Sequence, residues 1–306
     1  MLAFKDAHEA RQDVPGIVAA AEHVLMQTAS PQVESLCESD AIATSVRGFG
    51  LFLGTRPVLR NVSFDVRRGE VAVLTGPSGC GSKTMLAALG GVLPGANHLR
   101  LEGEISRAAG SAHAAVSACA AASACAAASA RIHSATAHFA GRPEAQSVRN
   151  ALARPLRLRG MRDEGTIDQA IDRALFLMDA RSRLSGALGA PACSLPKVER
   201  NLIAIAQAYL SSPDLLLAEE PTRGLSLPEA RVIARALQNL ACKANLAVVV
   251  ETSDAQIACR IASHVHFFLQ GHLVESFPGA GPSWESGARP APADCRTRAF
   301  LEGRMR

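Results

Sequence analysis

Hydrophobic and polar positions alternate along "NVSFDV", so that Val62, Phe64 and Val66 share one face. A period of two residues is typical of a half-buried β-strand. "EVAVLTG", residues 70–76, is a short apolar run that ends in glycine, as a buried strand does before a turn. "KTMLAALGGV", from Lys83, follows with the composition of a helix. The pattern therefore predicts a strand, a turn and a helix in direct succession.

Two later segments show the spacing of amphipathic helices. "TIDQAIDRALFLMDA" brings four apolar residues to one helix face: Ile167, Ile171, Leu175 and Met178. Thr166 and Gln169 predict a capping box at the start of this helix. Ser226 and Glu229 predict a second capping box at the start of "SLPEARVIARALQNL".

Strands and helices alternate in the second half of the chain. "KVERNLIAIAQAYL" predicts a helix, whereas "DLLLAEEPT" and "LAVVVETSD" predict buried strands. "HVHFFLQGHLVES" predicts a hairpin that turns at Gly271. Short apolar strands that alternate with helices favour an α/β fold, with a mostly parallel sheet covered by helices on both faces.

Changes in composition divide the chain into three parts. Residues 1–40 are predicted to be an N-terminal extension, residues 41–277 the main domain, and residues 278–306 a linker and C-terminal tail. The alanine-rich segment Arg107–Ala130 has no apolar stripe, so it is interpreted as either a loose helix or a disordered insert.

The charge of the chain excludes some function classes. The net charge is +4, and the arginines are spread along the chain, so a nucleic-acid partner is not expected. No stretch of about 18 strongly apolar residues occurs, and the N-terminus is too polar for a secretory signal. We therefore expect a cytoplasmic protein that reaches a membrane only through a partner.

The stretch "GPSGCGSKT", Gly76–Thr84, lies between the predicted strand and helix. The spacing of its glycines matches the phosphate-binding pattern G-x-x-x-x-G-K-[ST], in which backbone N–H groups and a helix N-terminus surround phosphate. The pattern requires lysine at position 82 and a hydroxyl at position 83, but the order here is reversed. The candidate binding residues are Gly76, Pro77, Ser78, Gly79, Cys80, Gly81, Ser82, Lys83 and Thr84.

The reversal changes the chemistry of this loop. Ser82 carries no charge for the β- and γ-phosphates, and Lys83 repels a cation where Mg²⁺ needs a hydroxyl. One residue along a helix rotates a side chain by about 100°, so Lys83 is not expected to reach back. Weak binding is expected, and exchanging the two residues is expected to raise nucleotide affinity at least about tenfold.

Two acids follow the apolar run in "LLLAEEPT". Glu219 stands where an aspartate is expected to face Mg²⁺, and its extra methylene displaces the carboxylate oxygens. Glu220 is the right residue to polarise an attacking water and is the candidate catalytic residue.

These motifs and their order resemble those of the ATP-binding cassette (ABC) ATPases. "VLPGANHLRLEGEI", "AQIACRIASHVHFFLQGHLVE" and "RTRAFLEGRM" resemble the phosphate-importer ATP-binding subunit in particular. The resemblance implies a P-loop core with a mostly parallel sheet, an antiparallel β portion and an inserted helical subdomain at about residues 108–212. It implies ATP and Mg²⁺ as ligands and transmembrane permease subunits as partners. It also implies a homodimer, or a heterodimer with another ABC ATPase, on the inner face of the cell membrane.

Several positions depart from the family pattern, and each replaces a group that contacts nucleotide or couples two sites. Leu53, beside Phe52, stands where the family has the base-stacking aromatic, and His138 or Phe139 stands where it has the glutamine that senses γ-phosphate. Ser226 replaces the aspartate that couples the two sites of the dimer, and Ser253 replaces the histidine that contacts γ-phosphate. The signature falls on Leu195–Glu199, where Pro196, Lys197 and Val198 replace a serine and two glycines. Pro196 also lacks the N–H that a phosphate-binding turn donates.

Three functions follow from this sequence. The first is an ATP-binding transporter subunit with weak or no hydrolysis. The second is a hydrolysing ATPase rescued by a competent partner. The third is a regulatory or docking module outside transport.

Overall fold

The computed structural model of the chain describes five stretches: residues 41–93, 98–107, 129–132, 146–280 and 292–305. The N-terminal extension predicted for residues 1–40 lies outside them. So do most of the alanine-rich segment and both candidates for the γ-phosphate glutamine, His138 and Phe139.

Three antiparallel strands form the first sheet in the order β2-β1-β4: β1 Ile42–Leu53, β2 Arg56–Arg67 and β4 Leu99–Arg107. Val62, Phe64 and Val66 of β2 are all buried. The alternation of apolar residues therefore predicted the inner face of this strand correctly.

The second sheet has the strand order β5-β6-β7-β3-β8-β9: β3 Val71–Thr75, β5 Ser129–Ile132, β6 Leu215–Glu219, β7 Ala247–Glu251, β8 His264–Leu269 and β9 His272–Pro278. The first five strands in this order are parallel, and β9 pairs antiparallel with β8 through a turn that contains Gly271. The α/β fold with a mostly parallel sheet and an antiparallel β portion is confirmed.

The described helices are short to medium in length: α1 Ser82–Leu89, α2 Val148–Leu158, α3 Glu164–Leu177, α4 Arg181–Leu184, α5 Lys197–Leu210, α6 Leu227–Ala244, α7 Ala255–Ile261 and α8 Cys295–Leu301. Helices α2 to α5 lie in the range expected for the helical subdomain. Strand β5 lies in the same range, but its backbone pairs in parallel with β6 in the second sheet. No helix in the described stretches is long and apolar enough to cross a membrane.

The predicted capping boxes have different outcomes. The box of Ser226 and Glu229 is present at the start of α6. The box of Thr166 and Gln169 is wrong, because α3 begins earlier, at Glu164. The carboxylate of Asp163 caps it and accepts hydrogen bonds from both the backbone N–H and the hydroxyl of Thr166, at 2.7 and 2.6 Å. Asp163 therefore occupies the N-cap position, and Thr166 lies inside the first turn.

Strands β3, β6 and β7 of the second sheet are buried on both faces, which explains why they are continuous apolar runs. Val73 and Val250 face a core built with α2, α3, α5 and α6, whereas Leu74 and Val249 face α1 and the first sheet. The segment predicted as linker and tail contributes helix α8. Its Phe300 packs on Phe267 of β8 with ring centroids 5.2 Å apart, so this part of the tail belongs to the folded core.

Candidate functional site

The carboxyl ends of β6, β7 and β3 lie side by side, because these strands are parallel neighbours in the sheet. Three segments follow these ends: the loop Gly76–Gly81, the acids Glu219 and Glu220, and Glu251–Ser253. The topology therefore brings together residues far apart in sequence at the edge where α/β proteins bind their ligands.

The loop has the backbone of a phosphate-binding turn. Gly79 and Gly81 have φ values of 78° and 108°, in the region that favours glycine. A Cβ on Gly81 would lie 2.8 Å from Leu59 Cδ2, so any larger residue there would also have to displace the Leu59 side chain. The carbonyl of Cys80 accepts a hydrogen bond from Gly271 N–H at 2.8 Å, which ties the loop to the β8–β9 turn.

Helix α1 starts directly after this loop. The Met85 N–H donates to Gly81 O at 2.9 Å, the first hydrogen bond of the helix. The N–H groups of Ser82, Lys83 and Thr84 precede that bond and have no acceptor within the helix. N–H groups that have no acceptor within the helix favour an anion at a helix N-terminus, so the backbone fits phosphate.

The side chain of Ser82 points into the protein. The residue is 5% exposed, and its hydroxyl donates to Oε1 of Glu251 at 2.9 Å. The Cys80 thiol donates to the Ser82 Oγ at 3.4 Å. The position that requires a lysine is thus uncharged and bound to a buried acid.

Glu251 is the site residue that the sequence patterns did not single out. It ends β7, is 2% exposed, and leaves Oε2 buried without a hydrogen-bond partner in the described structure. Burial raises the pKa of its carboxyl to about 7, and the Ser82 hydrogen bond opposes this shift. A glutamate that closes the apolar run "AVVV" is the signal that would have revealed it, because an acid is costly in a buried strand.

Lys83 leaves α1 in a different direction from Ser82. Its side chain is 52% exposed, and its Nζ lies 3.8 Å from Oε1 of Glu219. The carboxylate expected to face Mg²⁺ therefore already has a cation beside it. Mg²⁺ prefers several oxygen ligands in near-octahedral geometry. An ammonium in place of the hydroxyl means that this set of side chains does not fit Mg²⁺.

Glu220 is held by donors at the end of β7. Its Oε1 accepts hydrogen bonds from the N–H and the hydroxyl of Ser253, at 3.0 and 2.6 Å. Its Oε2 accepts a hydrogen bond from the Thr252 hydroxyl at 3.2 Å. The position expected to carry the γ-phosphate histidine instead carries a hydroxyl that binds the candidate catalytic base.

The remaining positions implied by the family pattern lie elsewhere in the fold. Leu53 is 42% exposed at the end of β1, and the Phe52 ring lies under the Arg100 guanidinium, 4.1 Å from its centroid. Pro196 is the N-cap of α5 and offers no side-chain cap. The Lys197 ammonium donates to the Arg223 carbonyl at 2.6 Å.

A cavity of about 840 Å³ opens beside the loop. The start of the loop, the turn before α7 and the C-terminal tail form its walls: Gly76, Ser78, Ser253, Gln256, Phe300 and Met305. The tail therefore forms part of the surroundings of the candidate site.

The backbone of the site fits phosphate, whereas its side chains do not fit Mg²⁺-bound triphosphate. The backbone N–H groups suit an anion, but no lysine ammonium stands at position 82. The buried carboxyl of Glu251 stands behind that position, and Lys83 pairs with Glu219. The fold of a phosphate cradle is present without its usual charges.

Comparisons with known proteins agree with this fold. One solved structure with a similar fold is cbiO1 from Clostridium perfringens, part of the ABC transporter complex cbiONQ. Its TM-score is 0.65 at 17% identity, and the match covers 80% of this chain and 91% of that chain. The ATP-binding cassette MJ0796, a dimer bound to ADP and Pi, has a TM-score of 0.60 and 18% identity, with coverage of 77% and 98%. At these identities the likeness concerns the fold alone.

Sequence comparisons extend over most of the chain. Phosphate import ATP-binding protein PstB 1 of Yersinia pestis is 28% identical over 235 residues, which cover 76% of this chain and 83% of that protein. The protein of the same name in Bacillus licheniformis is 25% identical over 260 residues, covering 85% and 94%. The ABC transporter family model matches residues 59–223, more than half of the chain. This match includes the loop and both acids, and it shows that the chain belongs to the ABC transporter family.

Proposed function

We propose that the chain is the ATP-binding subunit of an ABC transporter of the phosphate-import type, and that it binds nucleotide weakly and hydrolyses it very slowly or not at all. Curated relatives named as phosphate import ATP-binding proteins support the subtype. One observation carries the weak binding: the Ser82 side chain turns inward to Glu251, and position 82 carries no positive charge.

The positive charge missing at position 82 weakens nucleotide binding. A hydrogen bond to a charged group contributes about 1.5–3 kcal/mol, and both the lysine contact and the Mg²⁺ hydroxyl are missing. The backbone N–H groups still favour phosphate, so binding is weakened rather than lost.

The surroundings of Glu220 disfavour fast hydrolysis. Phosphoryl transfer depends on positioning and on neutralising charge, so losses at several groups compound. Glu220 accepts three hydrogen bonds from Ser253 and Thr252, which leave about one lone-pair site of its carboxylate for a water. A serine at position 253 also lacks the imidazole that contacts γ-phosphate in the family pattern.

The proposed partners are transmembrane permease subunits and a second ABC ATPase, identical or different, at the inner face of the cell membrane. The packing of α2 against α3 supports this role. Arg149 of α2 pairs with Glu164 and Asp168 of α3 at the surface, at 2.9 and 2.7 Å. Such a region retains a docking surface even where the nucleotide chemistry has changed.

The direct test is ATP binding and hydrolysis by the purified protein, with and without Mg²⁺. We expect weak binding and a turnover far below about 1 s⁻¹. A turnover near that value, abolished by Glu220→Gln, would contradict the proposal. Turnover that appears only with a second ABC ATPase would favour the rescued-partner function.

The partner assignment has a separate test. Co-expression with candidate permeases should move part of the protein to the membrane fraction, and expression without them should not. Recovery only from the soluble fraction in both cases would favour the regulatory module over the transporter subunit.

A further inference from the structure

Glu251 stands directly behind the first residue of α1. Its Oε1 lies 2.9 Å from the Ser82 hydroxyl, and both residues are at least 95% buried. Its second oxygen is buried and has no hydrogen-bond partner in the described part of the chain. A buried acceptor left half satisfied is costly unless another role maintains it, so this carboxyl needs an explanation.

The position of Glu251 determines what any side chain at position 82 meets. The Cβ–Oγ bond of Ser82 already directs the side chain to this carboxyl. A lysine at the same position would begin along the same path and would find a buried acceptor with a free lone pair. A buried ammonium and carboxylate attract strongly in the low-dielectric interior, so the lysine would pair with Glu251 before it reached a phosphate.

The other acidic side chains near the loop also disfavour a polyphosphate. Glu219 and Glu220 stand on the neighbouring strand end, and Glu219 is the register partner of Glu251 in the sheet. The Lys83 ammonium lies 3.8 Å from Oε1 of Glu219. An incoming triphosphate therefore approaches three carboxyl groups and one ammonium that is already paired.

We propose that Glu251 is the specificity-determining residue of this P-loop: it holds Ser82 inward, captures any cation placed at position 82, and so disfavours polyphosphate in the cradle. The proposal deepens the proposed function, since it explains weak nucleotide binding by an added acid as well as a lost lysine. It also changes the expectation for exchanging residues 82 and 83, which is not sufficient while Glu251 remains.

A four-protein cycle tests this coupling: the wild type, Ser82→Lys, Glu251→Gln and the double variant. Each is titrated with inorganic pyrophosphate in EDTA at about pH 8, where Glu251 is largely ionised and Mg²⁺ plays no part. We expect Ser82→Lys alone to gain less than about threefold in affinity, and the double variant to bind at least about tenfold more tightly than Ser82→Lys. Such non-additivity is the mark of two residues in contact.

Glu104→Gln is the matched control, because it removes an exposed carboxyl on β4 and changes net charge equally. It should leave pyrophosphate affinity unchanged in both backgrounds. Thermal unfolding midpoints show that each variant is folded, and Glu251→Val replaces Glu251→Gln if the glutamine variant does not fold.

Two results would overturn the proposal. One is a gain of tenfold or more from Ser82→Lys alone, with nothing added by Glu251→Gln. The other is an equal gain from Glu104→Gln, which would assign the effect to net charge. The cycle measures binding and not turnover, so its outcome stays separate from the hydrolysis test of the proposed function.

Discussion

At the residue scale, the reversed order of Ser82 and Lys83 directs their side chains to two different acids. Ser82 and Lys83 are consecutive on α1, and one residue step turns a side chain by about 100°. Ser82 therefore meets the buried Glu251, whereas Lys83 meets the exposed side of Glu219. The lysine is still present in the first turn of α1, but its ammonium lies beside a carboxylate of the protein and not at the position where a phosphate needs it.

Lys83→Ser should make nucleotide binding sensitive to Mg²⁺. The change removes the ammonium beside Glu219 and supplies the hydroxyl that the metal needs. We expect the affinity for a non-hydrolysable ATP analogue to be nearly the same with Mg²⁺ and with EDTA in the wild type, and to differ about tenfold in Lys83→Ser. Calorimetric titration measures both ratios.

Lys243→Ser is the control for that experiment, since it removes an exposed lysine from the last turn of α6. Its two affinities should remain as similar as those of the wild type. Equal Mg²⁺ sensitivity in Lys83→Ser and Lys243→Ser would show that Lys83 does not block the metal.

At the scale of secondary-structure elements, the N-terminal caps of α3 and α6 differ. Two capping boxes looked equivalent in sequence, but only that of Ser226 and Glu229 forms. At α3 an earlier acceptor, Asp163, takes the hydrogen bonds of Thr166 and extends the helix by a part of a turn. Those hydrogen bonds also lower the pKa of Asp163, because they favour its charged form. Helix α3 thus begins directly after Asp163, its side-chain cap.

Ser226→Ala should lower the free energy of unfolding by about 1 kcal/mol, because the N-cap hydroxyl is lost. Thr166→Ala should cost clearly less, because it removes one side-chain hydrogen bond inside a turn where alanine is the better helix former. Urea unfolding of the two variants and the wild type measures the difference. A larger loss of unfolding free energy in Thr166→Ala than in Ser226→Ala would show that Thr166, and not Asp163, caps α3.

At the scale of the whole molecule, the two sheets meet around His266. Its ring contacts Phe64 of β2 at 4.6 Å between centroids, and its Nδ1 lies 2.8 Å from the Ser276 hydroxyl of β9. Burial lowers the pKa of His266 to about 3, and nearby His264 adds to the shift while Asp65 opposes it. The junction of the sheets is therefore built around a neutral imidazole.

Acid should destabilise the fold through this residue. Between about pH 6.5 and 3 the unfolded chain binds a proton at His266 that the folded chain does not, so stability falls as pH falls through this window. The loss contributed by one such group is about 1.4 kcal/mol per pH unit. His266→Gln should flatten the dependence of unfolding free energy on pH by that slope, as measured by urea unfolding at several pH values.

The exposed His272 of β9 provides the comparison, and His272→Gln should leave the wild-type pH dependence unchanged. Parallel curves for the wild type and His266→Gln would show that His266 is protonated in the fold and that the sheet junction tolerates its charge.

Local pattern was enough to predict much of this fold. The alternation around Phe64, the run before Gly76 and the periodicity of α3 and α6 each depend on neighbours in sequence, and hydrophobic period responds to local geometry. The family resemblance and the P-loop backbone also follow from short motifs, because glycine spacing determines which turns the chain adopts.

Tertiary structure alone decided the chemistry of the site. Ser82 and Glu251 are 169 residues apart, and Glu220 and Ser253 are 33 apart. They meet because β3, β6 and β7 are parallel neighbours whose ends share one edge. Strand β5 joins the same sheet from a range interpreted as helical. Strand order depends on burial of both sheet faces, a property of the assembled core, and it determined which charges face the loop.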